Sequence, residues 1–395
     1  MTGFARSTTL VLALIAGTGA SRADFNSCIA GLKGVAGKQG VSAATFDRVM
    51  AGVTPDMKVI EALNSQPEFK TPIWDYLAVL VDEQKVREGR AMMQRHARAL
   101  ASAEQRYGVD RHTIAAVWGV ESDYGQLLGR WALPQALGTL ACVPNRRSAY
   151  FRGELMSTLR IVQRGDLAPE KLKGSWAGAF GQTQFMPSTY LRLAVDGDGD
   201  GRRDLVDSVP DALHSTANFL AKAGWQSGAS WGYEVRVPAG YSGPSGRKAK
   251  QPVASWSARG IRKFDGSPLT GSGAAGLLMP AGANGAAFLV FKNYDAAFSY
   301  NGADSYALAI SLLSDRLRGR PGVQGTWPGG DRGLARVERK EVQQHLIRRG
   351  YQIGEADGAI GTLTRRAIAE YQRKIGMNPD GRPGGKLLDS LRAGR

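Results

Sequence analysis

Trp118-Gly119-Val120-Glu121-Ser122-Asp123-Tyr124-Gly125 closes a predicted helix and puts a carboxylate where that helix's own periodicity calls for an apolar side chain. Asp110 is suited to cap the start of the helix, and Ile114, Val117 and Trp118 follow at the i, i+3, i+4 spacing of one apolar stripe. Glu121 is the next member of the stripe. A carboxyl turned into a half-buried surface holds its proton more tightly than a solvated one, as a general acid working near neutral pH requires. Asp123 lies roughly 200° further round a helix of 3.6 residues per turn, so it does not share the site. Gly125 reads as the helix stop. The stretch predicts a helical body around one acid without an obvious second carboxylate.

About 50 residues on, Gly174-Ser175-Trp176-Ala177-Gly178-Ala179-Phe180-Gly181-Gln182-Thr183-Gln184-Phe185-Met186-Pro187-Ser188 is a Gly-rich stretch running into a helix that Pro187 can start. It lacks the Lys and the spacing of a phosphate loop, which argues against nucleotide binding. Its glycines permit close backbone approach, Gln182 and Gln184 offer amides, and Trp176 and Phe185 offer flat apolar faces. That mixture suits a carbohydrate, and equally a tight structural turn.

Together the two segments resemble the B-type family of lytic murein transglycosylases, which have a goose-lysozyme-like catalytic core. WGVESDYG resembles the family's catalytic-Glu segment and KGSWAGAFGQTQFMPSTY its second signature, and the resemblance runs from about Phe25 to Leu317. It implies that Glu121 is the sole catalytic acid/base and that catalysis needs no cofactor. Glu121 would protonate the glycosidic oxygen between N-acetylmuramic acid and N-acetylglucosamine. As carboxylate it would then take a proton from the C6 hydroxyl of the same muramic residue, which closes onto C1 as a 1,6-anhydro end. An intramolecular nucleophile removes the need for the second carboxylate of an ordinary glycosidase. The alternatives are a muramidase using water with the same Glu121, and a wall-binding protein without catalysis.

The same resemblance implies a substrate groove formed by Tyr76, Arg146, Arg147, Gln184, Phe185, Tyr300, Asn301 and Tyr306. The arginines would meet lactyl or peptide carboxylates, and the tyrosines would stack on sugars or donate hydrogen bonds. Each also reads as a surface ion pair or a core aromatic. Phe219 stands where the family pattern has Tyr, which removes one groove hydroxyl. The four histidines show no metal or triad spacing and read as satisfied structural residues.

Asp196-Gly197-Asp198-Gly199-Asp200-Gly201-Arg202-Arg203-Asp204-Leu205-Val206-Asp207 fits a calcium loop of about 12 residues. Asp196, Asp198, Asp200 and Asp204 supply carboxylates, Gly201 the turn and Arg202 a carbonyl. The last ligand is Asp207, or Asp211 in a longer loop. Clustered like charges favour a structural Ca2+ over a plain Asp-Gly turn.

The chain has 395 residues, enough for two or three domains, and 43% of them are hydrophobic, enough for packed cores. Residues 1–23 read as a secretion signal, with Arg6, the apolar run Leu10 to Ala16 and a Ser21-Arg22-Ala23 cleavage site. This predicts a periplasmic or secreted protein, and no later run is long enough to span a membrane. In that setting Cys28 and Cys142 read as a disulfide, with two buried thiols as the alternative. A net charge of +16 points to a polyanionic partner. Peptidoglycan fits the charge and the address, whereas export and the lack of a nucleic-acid motif exclude nucleic acid; other cell-wall enzymes are further candidate partners.

The predicted fold is α+β and mainly helical: a lysozyme-like catalytic core over 24–318, with a small sheet inserted among helices. Tyr233, Val235 and Val237 alternate like a strand, Phe288 to Phe291 suit a buried strand, and Ser242 to Gly276 read as long loops. Residues 319–333 are a Pro/Gly linker. Residues 334–395, with thirteen Lys/Arg against seven Asp/Glu, form a small three-helix module. Its Asp357-Gly358 and Asp380-Gly381 turns resemble the peptidoglycan-binding-1 family.

Overall fold

The computed structural model describes residues 22–64 and 71–394. Apart from Arg22 and Ala23, the predicted secretion signal lies outside the described residues. Helices α1 (Arg22–Lys38), α2 (Ala43–Met50), α3 (Met57–Asn64), α8 (Leu133–Cys142), α9 (Ser148–Gln163) and α10 (Pro187–Leu193) share one apolar core that includes Leu137, Phe151, Leu155 and Phe180. The Cys28–Cys142 disulfide ties α1 to the end of α8. Closing so long a loop restricts the unfolded chain more than the folded one.

A second core is built by α4 (Ile73–Leu80), α5 (Glu83–Arg95), α6 (Ala97–Tyr107), α7 (Arg111–Ser122), α11 (Val209–Lys222), α13 (Lys292–Asn301) and α14 (Asp304–Leu317). The inserted β region contains β3 (Gly232–Arg236), β4 (Gln251–Pro252), α12 (Val253–Ala258), β5 (Arg262–Lys263), β6 (Ala274–Leu278) and β7 (Ala287–Val290). Its sheet has the order β4-β6-β7-β3-β5 with every pair antiparallel. A short ladder pairs β1 (Trp131–Ala132) with β2 (Lys173–Gly174). Finally α15 (Arg336–Arg348), α16 (Thr362–Lys374) and α17 (Gly385–Arg392) enclose their own core of Val342, Leu346, Ile368, Tyr371 and Leu388. The fold is mainly helical with small antiparallel sheets, as the sequence predicts. No helix among the described residues is long and apolar enough to cross a membrane.

Three local expectations are corrected. The first concerns the helical body, where the mixed apolar and charged periodicity of Trp74 to Leu100 resolves into three helices: Val81 ends α4, the Asp82 side chain caps α5 at 2.7 Å from the Lys85 amide, and His96 separates α5 from α6. Ser242 to Gly276, read as loops, holds β4, α12, β5 and the start of β6. There the buried Trp256 anchors α12 and donates to Ala275 O at 2.8 Å. Thirdly, α7 is buried around its whole circumference from Thr113 to Gly119, so its apolar face is no single stripe. It ends at Asp123 (φ +54) and Tyr124 (φ +57), before Gly125. The Tyr124 ring occupies the space a Cβ would need at Gly89 and Gly119, and its hydroxyl donates to Lys85 O at 3.0 Å. Burial of that ring holds a tyrosine in a left-handed conformation that glycine adopts more readily.

Candidate active site

Asp110 caps the start of α7 by accepting the His112 and Thr113 amides at 2.9 and 3.1 Å, and Glu121 sits in the helix's last turn. The hydroxyl of Tyr306, a 3%-exposed residue of α14, donates to Glu121 Oε1. Burial pushes the Glu121 carboxyl up to about 8, while the Tyr306 hydroxyl pulls it down. Among the described residues no second carboxylate acts on it. At pH 7 a group with that value is protonated about ten to one, so Glu121 is an acid at rest. Burial, with the Glu121 charge adding to it, holds the protons of Tyr306 and Tyr300 far above the usual tyrosine range. Both remain donors.

The surroundings of Glu121 are locked from two sides. On α13, Tyr300 stacks on Tyr306 with ring centroids 6.1 Å apart and planes 18° apart, and its hydroxyl donates to Thr183 O at 2.7 Å. Phe219 packs on Tyr300 at 4.6 Å, so the residue that departs from the family pattern fills space with its ring. Tyr76 of α4 packs, half-buried, against the same apolar core as Tyr306. On the other side, Phe180 and Phe185 exchange both backbone hydrogen bonds at 3.0 Å and close a hairpin over Gly181 to Gln184. Gln182, inside this hairpin, accepts from Trp118 Nε1 at 2.9 Å and takes the Ser122 hydroxyl on its backbone carbonyl. These two bonds bracket Glu121. Gln182 thus fastens α7, where the sequence suggested an amide free for a ligand.

The predicted groove residues divide. Tyr300 and Tyr306 come together beside Glu121, and Tyr76 packs against the core that contains Tyr306. Gln184 (φ +49) shapes the hairpin, its amide donating to Gly181 O at 2.8 Å and Leu128 O at 3.2 Å, and Phe185 is buried behind Tyr300. Arg146 and Arg147 stand exposed before α9, the Arg147 guanidinium lying over Tyr150 at 4.5 Å, and Asn301 is exposed at the end of α13. None of these three hydrogen-bonds Glu121. A second buried carboxylate, Glu154, is committed elsewhere: it takes the Ser188 amide and hydroxyl at 2.9 and 2.7 Å and so caps α10. Lys85, absent from the sequence reading, pairs with Asp123 and donates to Gly119 O at 2.9 Å, placing a cation at the end of α7. Nothing local distinguishes it from other lysines of a charged helix.

In the acidic loop, carboxylate oxygens of Asp196, Asp198 and Asp211 lie within 4.8 Å of one another. Asp211 is fully buried and accepts the Gly197 and Asp204 amides at 2.7 and 2.6 Å; burial raises its pKa, against the pull of those bonds. Asp200 turns to Arg202 at 3.0 Å and Asp207 to Lys171 at 2.8 Å, so both stand outside the set. Three convergent hard oxygens, one of them buried, suit a calcium ion. His214 corrects the expectation of satisfied histidines: it is buried against Tyr107 and neither ring nitrogen has a hydrogen-bond partner among the described residues.

Residues 24–315 match the transglycosylase SLT domain family, and residues 336–391 match a peptidoglycan binding domain family. The chain is 34% identical over 246 residues to membrane-bound lytic murein transglycosylase B of Escherichia coli (strain K12). That similarity covers 61% of this chain and 66% of the relative, just under two thirds of its length. SltB3 from Pseudomonas aeruginosa, solved in complex with NAG-anhNAM-pentapeptide, is similar over 93% of this chain and 99% of its own, with 43% identity and a TM-score of 0.75. The Escherichia coli lytic transglycosylase SLT35, solved in complex with calcium, is similar over 76% and 94%, with 28% identity and a TM-score of 0.66.

Proposed function

Because the chain belongs to the transglycosylase SLT domain family, we propose that it is a lytic murein transglycosylase, cleaving the β-1,4 bond between N-acetylmuramic acid and N-acetylglucosamine without water. The observation that carries this reading is the carboxyl of the half-buried Glu121, held by the Tyr306 hydroxyl, protonated near neutral pH and, among the described residues, without a second carboxylate acting on it. Glu121 gives its proton to the glycosidic oxygen as the bond to C1 breaks. The carboxylate left behind is stabilised by the Tyr306 hydroxyl until it takes the proton of the muramic C6 hydroxyl, whose oxygen closes onto C1. Proton count and charge balance, and Glu121 returns to its resting form.

Tyr76 and Tyr300 line the approach to Glu121, and Arg146, Arg147, Gln184, Phe185 and Asn301 belong to a longer groove for the glycan and its stem peptides. Asp196, Asp198 and Asp211 hold a structural calcium ion remote from the chemistry, a reading supported by the calcium complex of SLT35. Residues 24–318 form the catalytic domain, 319–333 the linker and 334–395 a module that keeps the enzyme on the polymer. A secretion signal over 1–23 and a net charge of +16 fit action on the anionic wall outside the cytoplasm. The complex of SltB3 with NAG-anhNAM-pentapeptide supports the anhydro chemistry.

The test is a Glu121→Gln variant on purified sacculi. It keeps the shape and removes the titrating group, so release of soluble fragments should fall by at least about a thousandfold. Release at the parent rate would remove Glu121 from the mechanism.

A further inference from the structure

Asp123 lies two residues past Glu121, in the left-handed turn that ends α7, with a side chain only 14% exposed. Its oxygens are shared between two parts of the molecule. Oδ1 pairs with Lys85 of α5, which also holds Gly119 O. Oδ2 pairs at 2.9 Å with Arg336, the first residue of α15 in the C-terminal segment. Arg336 is braced there, its Nε donating to Asp357 O at 3.4 Å, in the turn that carries the binding-module resemblance.

A second grip lies close by. Arg382 makes a two-pronged pair with Asp75, Nε to Oδ2 at 2.7 Å and Nη2 to Oδ1 at 2.9 Å. Arg339 adds a bond to Asp75 O at 2.9 Å. Asp75 is 3% exposed and directly precedes Tyr76, which packs against the apolar core that contains Tyr306. Bidentate pairs with a buried carboxylate fix orientation far better than surface charges do. The two gripped segments are those that carry Glu121 and Tyr76.

We propose that the C-terminal segment positions the active site, with Arg336 on Asp123 and Arg382 on Asp75 fixing the end of α7 and the Tyr76 segment for the chemical step. Asp123, Arg336 and Arg382 are positioning residues: they act through Glu121 and Tyr76 and touch no reacting atom. The inference rests on Glu121 being the acid/base, and it gives residues 334–395 a task separate from holding polymer.

The test uses the full-length chain on a soluble fragment of two disaccharide repeats with stem peptides. Arg336→Ala and Asp123→Asn should each lower kcat about tenfold with KM unchanged. Arg336→Lys should recover most of the loss, and Arg336→Ala should add nothing in the Asp123→Asn background. Arg336→Met, which keeps the aliphatic stem, guards against a fold defect in the alanine variant. A folded Arg336→Met with the parent kcat, or effects of Arg336→Ala and Asp123→Asn that multiply, would overturn the proposal. Glu121→Gln is assayed alongside. If it is inactive while Arg336→Met is normal, the positioning role alone falls; if it is active, the functional reading beneath it falls.

Discussion

Among the described residues the Glu121 carboxyl has one hydrogen-bonding partner, the Tyr306 hydroxyl, and that bond favours the charged form against the burial that disfavours it. The balance sets the pH dependence. With Glu121 as the proposed acid, cleavage needs its protonated form, so the alkaline limb of the rate profile should follow its pKa, about 8. Tyr306→Phe keeps the ring stacked on Tyr300 and removes only the donor. The carboxyl then holds its proton to higher pH, and the limb should move upward. Loss of the donor that stabilises the carboxylate intermediate should also lower the maximal rate about tenfold or more. A pH series of initial rates checks both; a limb that stays in place or moves down would show that Tyr306 does not tune Glu121. At this scale the sequence was informative about the acid, and the family resemblance named Tyr306 as a groove residue, but neither joined the two. A carboxylate on an apolar helix is visible from spacing, whereas Tyr306 lies 185 positions away and comes to Glu121 only through the packing of α14 on α7.

Elements differ in how openly they declare themselves. Asp110 and Pro187 mark the starts of α7 and α10 by chemistry local to a few residues, and both are where the sequence placed them. The end of α7 is not, because Tyr124 is held left-handed by burial against Gly89 and Gly119, which no neighbouring residue encodes. Similarly, α12 hides in a Gly/Ser/Pro-rich stretch because Trp256 secures it through a contact with β6. The acidic loop lies between these cases: its Asp-Gly spacing was plain, but choosing between Asp207 and Asp211 depended on the entry of α11. The proposed calcium site belongs to this scale. Calcium at a hundred times its dissociation constant should add about 2.7 kcal/mol of stability. Thermal unfolding with calcium or with chelator should show that rise in the parent and not in Asp211→Asn. An equal rise in both would place calcium elsewhere.

Over the whole molecule, the sequence separated the body from the C-terminal helices by composition, and each of the two has an apolar cluster of its own. What composition did not reveal is that the Pro/Gly segment between them is fastened down. Trp327 packs on Trp74 at 6.2 Å, and the Gln324 and Gly325 amides bind Glu234 at 2.9 and 2.7 Å. Glycine and proline describe the freedom of an isolated chain; tertiary partners remove it. On the proposed reading, a lone acid, tyrosines that stay protonated and a C-terminal segment seated beside both serve a cleavage in which the substrate supplies its own nucleophile. That claim rests most directly on the product. Mass spectrometry of fragments released from purified sacculi distinguishes a 1,6-anhydro end, lighter by one water, from a reducing end. The account predicts anhydro ends throughout the released material, and predominantly reducing ends would contradict it and assign Glu121 to hydrolysis.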